Sequence, residues 1–223
     1  MRKQLTEQQV EVFRERLLRV AEKLFARHGA AGVSMRQIAQ ALGYSQTAAY
    51  RYFANKDEIL VAMRAAALDR FCGHLEAAFD PARDARKNAR AVGQAFLDFA
   101  LKHLDTYRLI FFTENLEEAI APQFPTTMTR FRATMTTYVQ ALVDAGYIQG
   151  DVRTLAESFF SAAHGVVMMH MSGLLRTVSE RDELHLASMR LIARGAGLSE
   201  VTRTGARKPV RVAVGERAGA RKT

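Results

Sequence analysis

Between Ser45 and Phe53 the chain reads SQTAAYRYF. Gln46, Thr47 and Arg51 bring an amide, a hydroxyl and a cation that can bond bases or phosphates, and Tyr50 and Tyr52 add two phenols. Groupings for catalysis are missing: there is no Gly-rich phosphate loop, no His-Glu-x-x-His and no Gly-x-Ser-x-Gly. Cys72, between Phe71 and Gly73, reads as an inert thiol rather than a nucleophile. The six histidines show no paired spacing on a helix face with a carboxylate or thiol nearby, so no metal and no cofactor is expected.

Two short helices and the start of a third must position those polar side chains. Ser34 with Gln37 is a capping-box pattern: the Ser oxygen accepts from an early helical N–H while the Gln reaches back. Met35, Ile38, Ala39 and Leu42 then fall on one helical face, and Gly43 supplies the left-handed stop. Ser45 caps a helix predicted to run from Gln46 through Tyr52, and Asn55 with Glu58 repeats the capping pattern for the next. Helix, tight glycine-containing turn, helix is the shape that lays its second helix in a DNA major groove. A short helical hairpin in a core is the competing reading. Such a hairpin rarely spends so many hydroxyls, amides and cations on so few residues, which favours DNA.

The run LFARHGAAGVSMRQIAQALGYSQTAAYRYFANKDEIL, from Leu24 to Leu60, resembles the DNA-binding domain of the tetracycline-repressor (TetR) family of bacterial transcription regulators. The matching marks are Leu24-Phe25, Gly29, Ser34, Ile38-Ala39, Gly43, Ser45, Tyr50, Phe53, Lys56 and Leu60. Two positions depart from the pattern. Tyr44 replaces a small aliphatic residue, and Ala49 replaces a larger one, which predicts a lightly anchored second helix. The resemblance implies an all-α homodimer, most often a repressor, on a palindromic double-stranded operator. By their place on the recognition helix, Gln46, Thr47 and Tyr50 are the expected base-edge or groove contacts. Ser34, Arg36, Ser45, Tyr52 and Lys56 are the expected phosphate contacts, assisted by backbone N–H groups at the helix starts.

The charge balance suits a polyanionic partner. The chain has 223 residues, 32 basic and 23 acidic, for a net +9. Residues 1–56 carry ten cations against four acids and residues 199–223 seven against two, so the middle is close to neutral. A sequence-neutral basic DNA-coating protein is the alternative; it would spread its charge along a face and would not need an apolar second domain. The single cysteine excludes an internal disulfide. No apolar run suffices for a membrane span, and MRKQLTEQQ has no apolar segment behind its basic residues. A cytoplasmic protein, on the nucleoid when bound to DNA, is expected.

The remaining pattern is helical to residue 197. Thr6 with Gln9 opens a first helix whose Phe13, Leu17 and Leu24 face the core; Arg14, Arg16, Arg19 and Lys23 read as a solvated face. A long helix runs from Lys56 to about Phe79, stopped by Asp80-Pro81, with a polar junction to about Lys87. Later segments alternate apolar residues at spacings of three and four, with a loop over 115–123. The expected organisation is a helix-turn-helix domain (1–54), a connecting helix (55–81), a ligand-binding and dimerisation domain (82–198) and a basic, disordered tail (199–223). Residues 1–5 read as an arm carrying Arg2 and Lys3.

The second half is similar to a TetR C-terminal type whose signature helix carries Trp-His-Gly, here Ala163-His164-Gly165. It is rich in large soft side chains, which adapt to varied apolar ligands, although most of any such set is ordinary core. The candidate pocket residues are Phe99, His103, Tyr107, Phe111, Met128, Phe131, Met135, Phe160, His164 and Met168, around a small, largely apolar effector. Phe159-Phe160 and Met168-Met169 cannot share one face, so their helix has two apolar sides. The resemblance assigns the second side to pairing with a copy of the chain.

Overall fold

The structure, a computed structural model, describes residues 6–29, 32–112 and 124–197. These residues form nine helices and no strand. The predicted arm (1–5), the 115–123 loop and the tail (199–223) lie outside them.

The N-terminal unit is built by its caps. Helix α1 (Glu7–His28) starts on a reciprocal Thr6–Gln9 capping box and ends at Gly29, whose φ of 69° only glycine adopts readily. Helix α2 (Met35–Ala41) starts on the same device from Ser34 and Gln37. Gly43, at φ 75°, then turns the chain into Ser45, the N-cap of α3. Regular α3 is only Gln46–Ala49, shorter than the sequence predicts. Past it the Arg51 and Tyr52 N–H groups bond three residues back, to Ala48 and Ala49, so the last turn tightens instead of continuing as α-helix.

Helix α4 (Lys56–Ala78) is capped by Asn55, which accepts from the Glu58 N–H at 2.8 Å. The Glu58 carboxylate turns back to the Ala54 N–H, one residue before the cap. At 23 residues α4 is about 35 Å long, and it serves two cores. Ile59, Leu60, Ala62 and Met63 close the first core with Leu17, Phe25, Ile38 and Phe53. Ala67, Leu68, Phe71, Cys72 and Leu75 are the spine of the second. The first core thus reaches beyond residue 54 into α4.

The second core is wrapped by α5 (Ala85–Lys102), α6 (Leu104–Phe111), α7 (Phe124–Asp144), α8 (Val152–Met171) and α9 (Val178–Gly197). The predicted polar junction ends sooner than Lys87. Asp84 accepts from the Arg86 and Lys87 N–H groups and starts α5 at Ala85. Asn88 bonds back to the Asp80 carbonyl at 2.7 Å and pins the turn from inside.

Candidate nucleic-acid interface and ligand cavity

The two faces of the segment around α3 have opposite fates. Ala49 is wholly buried and Phe53 nearly so, against the buried Ile38 and Ala39 of α2. Gln46, Thr47, Tyr50 and Arg51 all point to solvent, with Tyr50 47% exposed. Ala49 itself brings only a methyl group to the core, and the contacts to α1 come from its neighbours. The Tyr52 ring lies 4.1 Å from that of Phe13 on α1, and the Arg14 guanidinium stands 4.4 Å over the Phe53 ring. Arg14 also donates to the Tyr52 carbonyl at 3.0 Å. It satisfies an end-of-helix carbonyl that α3 leaves open. The sequence reading placed Arg14 on a solvated face, since a cation thirty-eight residues from its partner gives no local signal.

The five phosphate candidates differ in availability. Arg36 is exposed. Ser45 accepts from the Ala48 N–H, leaving its own O–H proton uncommitted among the described residues. The Ser34 O–H donates to Gln37 Oε1 at 2.8 Å, so a phosphate would have to compete for it. Tyr52 is half-buried against Phe13, and Lys56 is half-buried at the start of α4. Tyr44, the other departure, is 45% exposed and sits edge-on to Phe13 at 4.9 Å, beside α3.

Polar contacts tie this unit to the second domain. Glu22 on α1 accepts from Arg70 of α4 at 2.9 Å and from Thr106 of α6 at 3.3 Å. Arg64 of α4 donates to the Ile110 carbonyl at the end of α6 at 2.8 Å, where a cation suits the helix dipole. Further along, Arg130 of α7 bridges Asp69 and Glu76 of α4, and this guanidinium holds the Glu76 carboxyl below its usual range. Burial pushes the Cys72 thiol up to about 11, which suits an inert core thiol.

Of the ten pocket candidates, Phe99, Tyr107, Phe111 and Phe131 ring Phe71 at centroid distances from 5.2 to 6.4 Å. Phe160 contacts Phe111, Phe131 and His164. Burial raises the Tyr107 phenol's pKa and lowers that of the His164 imidazole. Both shifts favour the neutral form, and the Tyr107 hydroxyl and His164 Nδ1 share a hydrogen bond of 2.6 Å whose donor is set by the imidazole tautomer. His103 is exposed at the α5–α6 corner, and Met128 and Met168 are half-buried.

A cavity of about 560 Å³ opens elsewhere, between α5, α7, α8 and α9, and of the ten candidates Met135 and Phe160 line it. Its polar lining includes Arg86, Arg90, Asp182, His185 and Arg190, which the sequence reading did not connect. Among the described residues no group of three His, Cys, Asp or Glu is placed to hold a metal, and none of the described helices is long and apolar enough to cross a membrane.

Fold and site define a helix-turn-helix protein with a second, helical domain. Residues 17–63 match the model of bacterial regulatory proteins of the tetR family, and residues 89–192 that of the tetracyclin repressor-like C-terminal domain. The chain belongs to the tetR family, a class of transcription regulators. It is 30% identical over 105 residues to the HTH-type transcriptional activator FasR of Mycolicibacterium smegmatis, a match that spans 47% of this chain and about half, 48%, of that relative. A Rhodococcus sp. RHA1 protein of unknown function superposes with a TM-score of 0.70 at 26% identity, over 83% of this chain and 95% of that one. A tetR-family regulatory protein from Rhodococcus RHA1 gives 0.63 at 17% identity, over 84% and 98%.

Proposed function

We propose that this chain is a DNA-binding transcriptional regulator, a homodimeric repressor released from a palindromic operator by a small effector bound in its helical domain. One observation carries the reading: Gln46, Thr47, Tyr50 and Arg51 face solvent while Ala49 and Phe53 lock the same segment to the core. A helix held in that way can enter a major groove with its polar side on the base edges. Gln46, Thr47 and Tyr50 read bases, and Arg36, Ser45, Tyr52, Lys56 and, on release from Gln37, Ser34 hold phosphates.

Exposed apolar side chains on α9 and on the link before it support the dimer. Leu174, Val178 and Leu191 are 71%, 60% and 68% exposed. A second copy would cover them and set two recognition helices one duplex turn apart. Repression is the sense proposed because a dimer seated over a promoter excludes polymerase; the FasR relative carries the name of an activator, and a promoter–reporter fusion reads the sign directly. The division into domains at 54/55, 81/82 and 198/199, the Trp-His-Gly type of the second domain and a cytoplasmic, DNA-associated location belong to the same proposal.

The test is a gel-shift titration on DNA immediately upstream of the chain's own gene, with scrambled competitor and two salt concentrations. A discrete, competitor-resistant shift is expected. Smeared, salt-labile binding there, with no sequence enriched from random DNA, would leave the sequence-neutral alternative standing.

A further inference from the structure

We propose that the cavity between α5, α7, α8 and α9 binds an amphipathic carboxylate, its apolar tail inside and its carboxylate at an arginine mouth. The assignment rests on the effector reading above only for its regulatory consequence. The interior supplies the tail's half of the match. Val92, Phe96, Leu142, Phe159 and Met189 are on its walls, and about 560 Å³ lies within the range of small-molecule sites.

The mouth supplies the other half. Arg90 of α5 and Arg190 of α9 both line the cavity, both are exposed, and neither has an ion-pair partner among the described residues. The acid on the same lining, Asp182, is already taken by Arg181 at 2.6 Å. Two unneutralised guanidiniums from two helices therefore stand at an apolar chamber, an arrangement that suits a carboxylate. His185 adds an independent sign. It lines the cavity, is 5% exposed, and its Nδ1 has no hydrogen-bond partner among the described residues. A buried ring nitrogen left unpartnered is costly, and a polar atom carried in by a ligand would relieve it. Gly93 keeps the space beside that ring, since a Cβ there would come within 3.1 Å of His185 Nε2.

The chain's own end is a poor rival for the site. Residues 199–223 hold seven cations against two acids, which the arginine mouth repels.

The experiment is calorimetric titration of the full chain, without DNA, by laurate, dodecanol and dodecylamine, probes that share one tail. Laurate is expected to bind tighter than dodecanol by about tenfold or more, with dodecylamine weakest. The R90Q/R190Q variant, altered only at exposed positions, is expected to lose that preference while keeping its affinity for dodecanol. Ala193→Phe, which intrudes on the chamber from α9, is expected to weaken laurate by about tenfold. Equal binding of laurate and dodecanol, a preference that survives in R90Q/R190Q, laurate binding unaffected by Ala193→Phe, or no binding of any probe overturns the proposal. Failure of the regulator reading shows separately, as no gel shift in the absence of ligand.

Discussion

At the scale of single residues, the proposed DNA face separates side chains that read from those that hold. Gln46 is exposed on the first turn of α3. Gln46→Ala is expected to cost about 1–3 kcal/mol at one base position and to relax specificity there. Anisotropy titrations on single-base operator variants measure it, and uniform weakening would move Gln46 to the phosphate group. Lys56→Ala is expected to weaken all sites alike and to lower the salt slope by about one phosphate per protomer. Arg14 makes a third class. It holds the end of α3 through the Tyr52 carbonyl and the Phe53 ring, so Arg14→Ala is expected to reduce operator affinity with the salt slope unchanged. A lower slope would make Arg14 a phosphate contact. Nothing in the sequence separated Arg14 from Arg16 and Arg19, since its role exists only once α1 packs against α3.

At the scale of elements, the starts of helices were legible and some of their ends were not. Caps are local: Thr6, Ser34, Ser45 and Asn55 each accept from an N–H three residues on, as their spacing implies. The end of α3 is set instead by Tyr52 on Phe13 and Phe53 in the core, contacts between distant parts of the chain. Asp84 lies in the polar stretch after Pro81, whose turn signal masks it, yet it caps α5. The turn between α2 and α3 tests how much one backbone angle governs the reading face. Gly43 has φ 75° and open space where a Cβ would stand, so Gly43→Ala carries strain without a clash. A loss of about 1 kcal/mol in stability is expected from thermal melts, with a larger relative loss of operator affinity because the turn sets the angle between α2 and α3. An unchanged melt would mean that the turn adapts its φ freely.

At the scale of the whole molecule, the soft residues of the second half were legible as a set but not in their arrangement. Their helical spacing cannot say that Phe71 gathers five rings, or that Arg90 and Arg190 from distant segments meet at one cavity. The exposed Leu191 of α9 gives a direct test of the proposed assembly: Leu191→Glu is expected to yield monomers in sedimentation and to abolish the discrete gel shift, while the melt stays cooperative. Proton linkage tests burial across the same domain. Burial holds the imidazoles of His164 and His185 below their ordinary range; for His185, Asp182 pulls it back up and Arg181 pushes it further down. The unfolded chain therefore takes up these protons first as pH falls below about 6.5. Stability is fully present above that window and declines through it, because the folded form must stay neutral at both sites or open to charge them. The carboxylates held low by partners, Glu76 and Asp98, add their loss only in more acidic solution. The melting temperature is thus expected to drop between about pH 7.5 and about pH 5.5, before the carboxylates titrate. His185→Gln is expected to flatten that slope. A slope as steep as the wild type's would mean that His185 takes up its proton without leaving the fold.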